Sequence, residues 1–246
     1  MISIITVVFN SKKMLKKTIE SILDQSYKNI EYVIIDGGST DGTIDVIKAY
    51  EDSIDYWCSS PDKGISHAFN KGLEKASGDI IGILNAGDIF LDDALLHVSK
   101  AFEKNNIDFL YANSVLKNQH DNEIRTLIPK TITKFPYGGM PFQHSTLFIK
   151  KSVYDIAGNF NVNYKVAMDF ELLLRIYKLD YIGHYLDRRL SIYYRGGMSD
   201  KNYIRGHLEV LYASLASEEA NFIKVLAWAL KNIIRTKVRK IIERIT

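Results

Sequence analysis

One cysteine in 246 residues, Cys58, excludes any internal disulfide. Beside Tyr56 and Trp57 it reads as the end of a buried strand, where a thiol behaves as a small apolar group. No stretch approaches the roughly 18 consecutive apolar residues that a membrane-spanning helix needs. The apolar start over residues 2–9 carries no basic leader, so no secretory signal is expected and the cytosol is the compartment implied. No Gly-x-Gly-x-x-Gly follows the first strand, and no phosphate loop ends in Gly-Lys-Ser or Gly-Lys-Thr. Dinucleotide binding and ATPase activity are therefore disfavoured. Internal repeats and low-complexity linkers are also missing. A formal net charge of +3 is too small to mark a nucleic-acid binder, and no nucleic-acid partner is expected.

What is present is a core-forming chain, 46% hydrophobic, in which apolar strands alternate with amphipathic helices. Residues 2–9 are β-branched and predict a central strand. Asn10 and Ser11 are cap candidates for a helix to about Gln25, with Met14, Leu15, Ile19, Ile22 and Leu23 at helical spacing. A strand over 31–35, a helix over 43–50 and a strand over 54–58 follow. Next come a helix carrying Ala68, Leu73 and Ala76, and a fourth strand ending at Asp88. This alternation implies parallel βαβ units and hence an α/β, doubly wound, mainly parallel sheet.

Beyond a helix over 91–103 the pattern loosens. It predicts a hairpin (107–116 and 124–128), an irregular loop over 129–139, a strand over 145–149 and a short helix over 151–157 closed by Gly158. A helix over 167–175, two late strands (181–186 and 190–194), a glycine loop at 195–199 and helices from about 202 complete the chain. The expected organisation is one domain over 1–200 with a C-terminal helical extension over 201–246.

Three strands break into small polar residues at their carboxyl ends: Phe9-Asn10-Ser11, Asp36-Gly37-Gly38-Ser39 and Asn85-Ala86-Gly87-Asp88. In an open α/β sheet such ends form the ligand crevice, and three of them on one rim make a nucleotide-sized cleft. A carboxylate there, Asp88, can hold a divalent cation that in turn holds a diphosphate. As isolated strings these are also ordinary turn residues.

Collected in order, the motifs resemble family-2 glycosyltransferases of the GT-A fold, and bacterial exopolysaccharide and colanic-acid enzymes in particular. The resemblance spans Thr6-Val7-Val8-Phe9-Asn10, Asp36 to Thr43, Ser60-Pro61-Asp62-Lys63-Gly64, Ala68-Phe69-Asn70-Lys71-Gly72, Asn85-Ala86-Gly87-Asp88, and Met168-Asp169 with Leu174-Arg175. It covers about residues 2–200. It implies an enzyme of the hexosyltransferase type that moves a sugar, with inversion, from a nucleotide-sugar donor to a glycan or lipid-linked acceptor in cell-surface polysaccharide synthesis. Thr6, Val8, Asn10 and Asp36 would line the nucleotide cleft. Lys63 would meet the departing diphosphate, Asp88 would hold Mg²⁺ or Mn²⁺, and Asp169 would be the general base.

This sequence departs from the family's usual Asp-x-Asp-Asp by retaining only Asp88 of the three acids. Gly37 stands where a second acid is common, and Met168 where a Glu often precedes the base. The alternatives are a sugar-phosphate nucleotidyltransferase or a non-catalytic carbohydrate-binding module. The former would want a glycine-rich basic loop after the first strand, and Phe9-Asn10-Ser11-Lys12-Lys13 has the lysines without the glycines.

Other candidates carry two readings. His144 would touch the acceptor or the leaving phosphate, or be a buried, hydrogen-bonded histidine. Arg195, Gly196, Gly197 and Ser199 form either a mobile lid over the diphosphate or an ordinary turn. From Asn221 onward seven basic residues face one acidic residue, so the tail carries +6 and the remainder −3. Leu226, Leu230, Ile234, Val238, Ile241 and Ile245 fall near one helical face, with Lys231, Arg235, Arg239 and Lys240 on another. A membrane surface is one partner for such a helix and would make the protein peripheral on the inner face of the cell membrane. Packing on its own domain or on a twin subunit is the other.

Overall fold

The computed structural model of the chain describes residues 1–118, 120–129, 138–217 and 221–245, apart from the side chains of 242–245. Most of the loop expected over 129–139, Gln119 of the hairpin turn and the Ile245 side chain lie outside that description.

The first half alternates as its periodicity requires. The elements are β1 (Ile2–Val8), α1 (Lys12–Leu23), β2 (Ile30–Asp36), α2 (Thr43–Ala49), β3 (Tyr56–Ser59), α3 (Ile65–Lys75) and β4 (Ile80–Ile83). Strands β3, β2, β1 and β4 lie side by side and parallel. β1, β4 and the carboxyl-terminal part of β2 are buried on both faces, which is why their sequences read as nearly unbroken apolar runs, whereas the edge strand β3 is only half-buried. Ile5, Val7, Val33 and Ile35 pack toward α3, while Ile4, Tyr32 and Ile34 pack toward α1 and α2. Helices on both faces make the sheet doubly wound.

The second half adds β5 (Ile89–Phe90), α4 (Ala94–Lys104), β6 (Phe109–Lys117), β7 (Glu123–Leu127), β8 (Phe148–Lys150) and α5 (Lys151–Ala157). After these come α6 (Met168–Lys178), β9 (Gly183–Tyr194), α7 (Met198–Lys201), α8 (Tyr203–Ala216) and α9 (Phe222–Ile245). The sheet continues from β4 through β8, β6 and β9 to β5, and β7 pairs with β6 as the expected hairpin. β8 runs antiparallel to both its neighbours, whereas β6 and β9 are parallel to each other.

Three expectations need correction. The fourth strand ends at Ile83, so Asp88 sits on a loop beyond it rather than at its last residue. The strand over 145–149 begins as a 3-10 turn, His144–Thr146, before β8. The two late strands are one, β9. Its polar centre, Asp187 to Arg189, resembles a turn, but two register shifts against β6 absorb those residues. Asn113 anchors them, donating to Asp187 at 2.9 Å and accepting from the Tyr185 hydroxyl at 2.8 Å.

Candidate active site

The first two loops of the rim are laced together by side chains. Asn10 donates its backbone N–H to the Ser39 hydroxyl at 2.8 Å and accepts the Thr40 N–H on its own Oδ1 at 2.9 Å. Ser11 N–H donates to Thr43 Oγ1 at 3.0 Å. Asn10 adopts φ of 48°, a left-handed turn that its short polar side chain tolerates. Asp36 is fully buried at the end of β2. Its carboxylate accepts the Gly38 and Ser39 N–H groups at 3.0 and 2.9 Å and the Ser39 and Ser59 hydroxyls at 2.5 and 2.6 Å.

Beyond these loops opens a cavity of about 1210 Å³. Val8 and Asn10 at the end of β1, Asn85 and Asp88 after β4, His144 and Asp169, and Arg195 and Ser199 after β9 all line it. A shallower hollow of about 460 Å³ over Lys16, Asp45 and Tyr50 has no strand ends behind it. Three expected nucleotide contacts are not among the lining residues. Thr6 lies two residues deeper in β1, fully buried, with its hydroxyl accepting from Tyr32 at 3.2 Å. Asp36 is turned into its own loop. Lys63 is exposed, and its backbone carbonyl instead receives the ammonium of Lys165, a cavity residue, at 2.8 Å.

Asp88 follows Gly87, whose φ of +114° is one that an L side chain rarely adopts. Thr18 braces the turn: its hydroxyl accepts the Gly87 N–H at 2.9 Å and donates to the Asp88 carbonyl at 2.8 Å. Burial pushes the Asp88 carboxyl up to about 7. Among the described residues no three acidic, His or Cys side chains cluster as a cation cage. Asn85 Oδ1, however, is buried without a hydrogen-bond partner among those residues. An unpartnered amide oxygen and a desolvated carboxylate lining the same cavity fit a hard divalent ion that keeps phosphate and water as its remaining ligands.

Asp169 lies in the first turn of α6. The approach to that helix is fixed by Glu209 of α8, whose carboxylate accepts the N–H groups of Lys165, Val166 and Ala167 at 2.8–3.0 Å. Burial pushes the Glu209 carboxyl up, but these amides and Arg205 more than offset it and leave it lowered. Asp169 Oδ2 stands 3.8 Å from His144 Nδ1. Burial raises the Asp169 carboxyl, and the His144 charge and the Phe170 amide pull it part of the way back. Burial also lowers His144, against the pull of Asp169. The imidazole stacks on Phe69 with ring centres 5.5 Å apart.

The chain matches the model of glycosyl transferase family 2 over residues 3–166. It belongs to that family. An uncharacterized glycosyltransferase of Mycobacterium tuberculosis is 30% identical over 177 residues, 71% of this chain and 68% of the relative. The Escherichia coli UDP-Glc:alpha-D-GlcNAc-diphosphoundecaprenol beta-1,3-glucosyltransferase WfgD is 31% identical over 54% of this chain and 53% of its own.

Among solved structures, the mannosyltransferase PcManGT of Pyrobaculum calidifontis, in complex with GDP-Man and Mn²⁺, superposes with a TM-score of 0.71 at 17% identity. The match covers 96% of this chain and 73% of that one. S. aureus TarS 1–349 in complex with UDP gives 0.68 at 16% identity over 91% and 68%. The match to a longer S. aureus TarS chain, with a TM-score of 0.69 at 16% identity, covers 93% of this chain and 42% of that one. These neighbours establish the GT-A fold, and family membership makes the protein a glycosyltransferase rather than a sugar-phosphate nucleotidyltransferase or a binding module.

Sequence reasoning missed Asn85 as an oxygen ligand, Lys165 as one of the lysines lining the cavity, and Arg239 as a cavity residue, although packing on its own domain was one of its two readings of the tail. α9 packs inward through Val225 and Ala229, with Trp228 against the core and His207. It brings Thr236 and Arg239 to the cavity. Lys240 lies over the Tyr203 ring at 4.4 Å. Arg239 and Lys240 were expected on a solvated basic side, and only the sequence's basic bias hinted at them.

Proposed function

We propose that the chain is an inverting glycosyltransferase that moves a sugar from a nucleoside-diphosphate donor to a hydroxyl of a lipid-linked glycan in cell-surface polysaccharide synthesis. The observation that carries this reading is that Asp88 and Asp169, far apart in sequence, face one cavity of nucleotide-sugar size.

In the reaction the Asp169 carboxylate takes the proton of the acceptor hydroxyl. The freed oxygen pair forms the new bond to the anomeric carbon, and the old carbon–oxygen bond breaks with its electrons leaving on the diphosphate. His144 positions Asp169 and keeps its carboxyl from rising further. Asp88 and Asn85 would hold the divalent cation, which when bound neutralises charge on the departing diphosphate. Val8 and Asn10 meet the nucleoside. Asp36 shapes their loop, Thr6 backs it, and Lys63 orders Lys165 beside the donor. The C-terminal helices α8 and α9 form an extension that helps wall the cavity. The WfgD name, with its undecaprenol-linked acceptor, supports the lipid-linked assignment.

The helical tail supports a second element of the proposal, attachment to an anionic membrane surface. Among the described residues no helix is long and apolar enough to cross a membrane. Leu230, Ile234, Val238 and Ile241 are 48–61% exposed along one face of α9, beside exposed Lys231 and Arg235. A helix of this kind lies in the headgroup plane.

The test is release of nucleoside diphosphate from a panel of UDP- and GDP-sugars with a polyprenyl-diphosphate glycan acceptor. Turnover by the wild type, lowered by about 10²–10⁴-fold in folded Asp169→Asn, is expected. Normal turnover in the folded variant would discard Asp169 as the base.

A further inference from the structure

The tail helix reaches the same end of the cavity as the cation site. Arg239 Nη2 stands 3.2 Å from Asp200 Oδ1. The other oxygen of that carboxylate accepts the Gly196 N–H at 2.8 Å, and the Asp200 carbonyl accepts from Lys240. One aspartate thus fastens α9 to the glycine turn that follows β9. β5 fixes the opposite side. Ile89 pairs with Ile192 and Phe90 with Ser191, so the next step of this antiparallel ladder sets Asp88 toward Tyr193, just before Arg195.

The Tyr193 hydroxyl feels all four charges. Burial pushes it far above the usual phenol range, Asp200 and Asp88 push it further, and Arg239 and Arg195 pull it back. Asp88, Arg195, Asp200 and Arg239 all line the cavity. Two guanidinium groups and a desolvated carboxylate therefore converge around Tyr193, where β9 ends and β5 begins. Planar guanidinium forks match the paired oxygens of a diphosphate, and a cation held by Asp88 would share the same group.

We propose that Arg239, on the tail helix, is a donor-binding residue. As the donor enters, Arg239 shifts part of its hydrogen bonding from Asp200 to the diphosphate, alongside Arg195, so the Asp200 clasp is the resting arrangement of the closed donor site. This assignment rests on the transferase reading and adds to it a residue outside the segment matched by the family model.

The experiment titrates the full chain in Mn²⁺ with UDP, GDP and the matching monophosphates, comparing wild type with Arg239→Gln and Arg239→Lys. Arg239→Gln is expected to weaken diphosphate binding tenfold or more while monophosphate binding stays within twofold. Arg239→Lys, which keeps the charge but loses the fork, is expected to weaken diphosphates to an intermediate extent. Thermal unfolding of each variant checks that α9 stays docked, and the Lys variant carries the test if the Gln variant does not fold. Equal losses for mono- and diphosphate would show Arg239 to be only a structural clasp and overturn the proposal. Unchanged affinities in a protein that still turns over donor would also overturn it, leaving the transferase reading intact. A folded wild type that binds no nucleotide would bring both down.

Discussion

His144 Nδ1 lies 3.8 Å from Asp169 Oδ2, in the lining of the cavity that Asp88 also faces. Neither imidazole nitrogen has a hydrogen-bond partner among the described residues, so the ring's polar edge is committed to this neighbour and to whatever enters the cavity. The pair is built from a 3-10 turn and the first turn of α6, both held by groups outside them: the Ala112 carbonyl of β6 accepts the Thr146 hydroxyl at 3.0 Å, and Glu209 gathers the amides before α6.

That geometry sets a pH profile. Burial raises the Asp169 carboxyl, so the acid limb of kcat/KM is expected above the ordinary carboxylate range. Turnover rises with pH as Asp169 loses its proton. In His144→Gln the attraction that opposes burial is gone, and the limb is expected to move to higher pH, with turnover above it falling by less than about tenfold. Rate against pH for both proteins decides; an unmoved limb would mean that His144 does not act through Asp169.

Asp88 makes a prediction for stability. Its folded-state carboxyl titrates near 7 against a reference of 3.8. A raised carboxyl contributes stability that is whole below pH 3.8 and is lost as pH rises through 7. In EDTA, Asp88→Asn is therefore expected to be the more stable protein at pH 8, by on the order of 2–4 kcal/mol, and to lose that advantage at pH 4. Added Mn²⁺ should raise the Tm of the wild type and have little effect on the Asn variant. Urea melts at the two pH values and thermal melts with the ion test both statements.

Asp36 is expected to matter through architecture. Asp36→Ala leaves two backbone N–H groups and the Ser39 and Ser59 hydroxyls without their acceptor. A loss on the order of 3 kcal/mol is expected, together with weaker nucleotide binding because Asn10 is tied to Ser39. A stable variant with loosened nucleotide binding would instead place Asp36 against the base.

The exposed stripe of α9 is tested with vesicles. The full chain should float with anionic but not neutral lipid, less so at high salt. Replacing Leu230, Ile234, Val238 and Ile241 by Ser should abolish flotation without lowering Tm, because these side chains are exposed. If the wild type stays at the bottom but elutes as a dimer that the Ser variant splits, the stripe is a subunit interface.

The sequence alone determined the parallel half of the sheet and its helices on both faces. Strands buried on two sides must be apolar throughout, and their helices must be amphipathic, so Ile4, Ile34 and Leu15 declare their places. It also offered Asp88, as an acid just beyond an apolar strand, whereas Asp169 at a helix start reads as an ordinary first-turn acid and was singled out only through the resemblance to family-2 glycosyltransferases. It did not reveal that β9 runs unbroken through Asp187, since register shifts depend on the partner strand. Nor did it show that Asp36 is spent inside its own loop, that Asn85 lies beside Asp88, or that the tail turns Arg239 inward while leaving Leu230 and Ile234 outside. A helix with two apolar faces and basic residues between them can pack in more than one rotation. Only the core it meets, here Trp228 against His207 and Arg239 against Asp200, selects which face goes in.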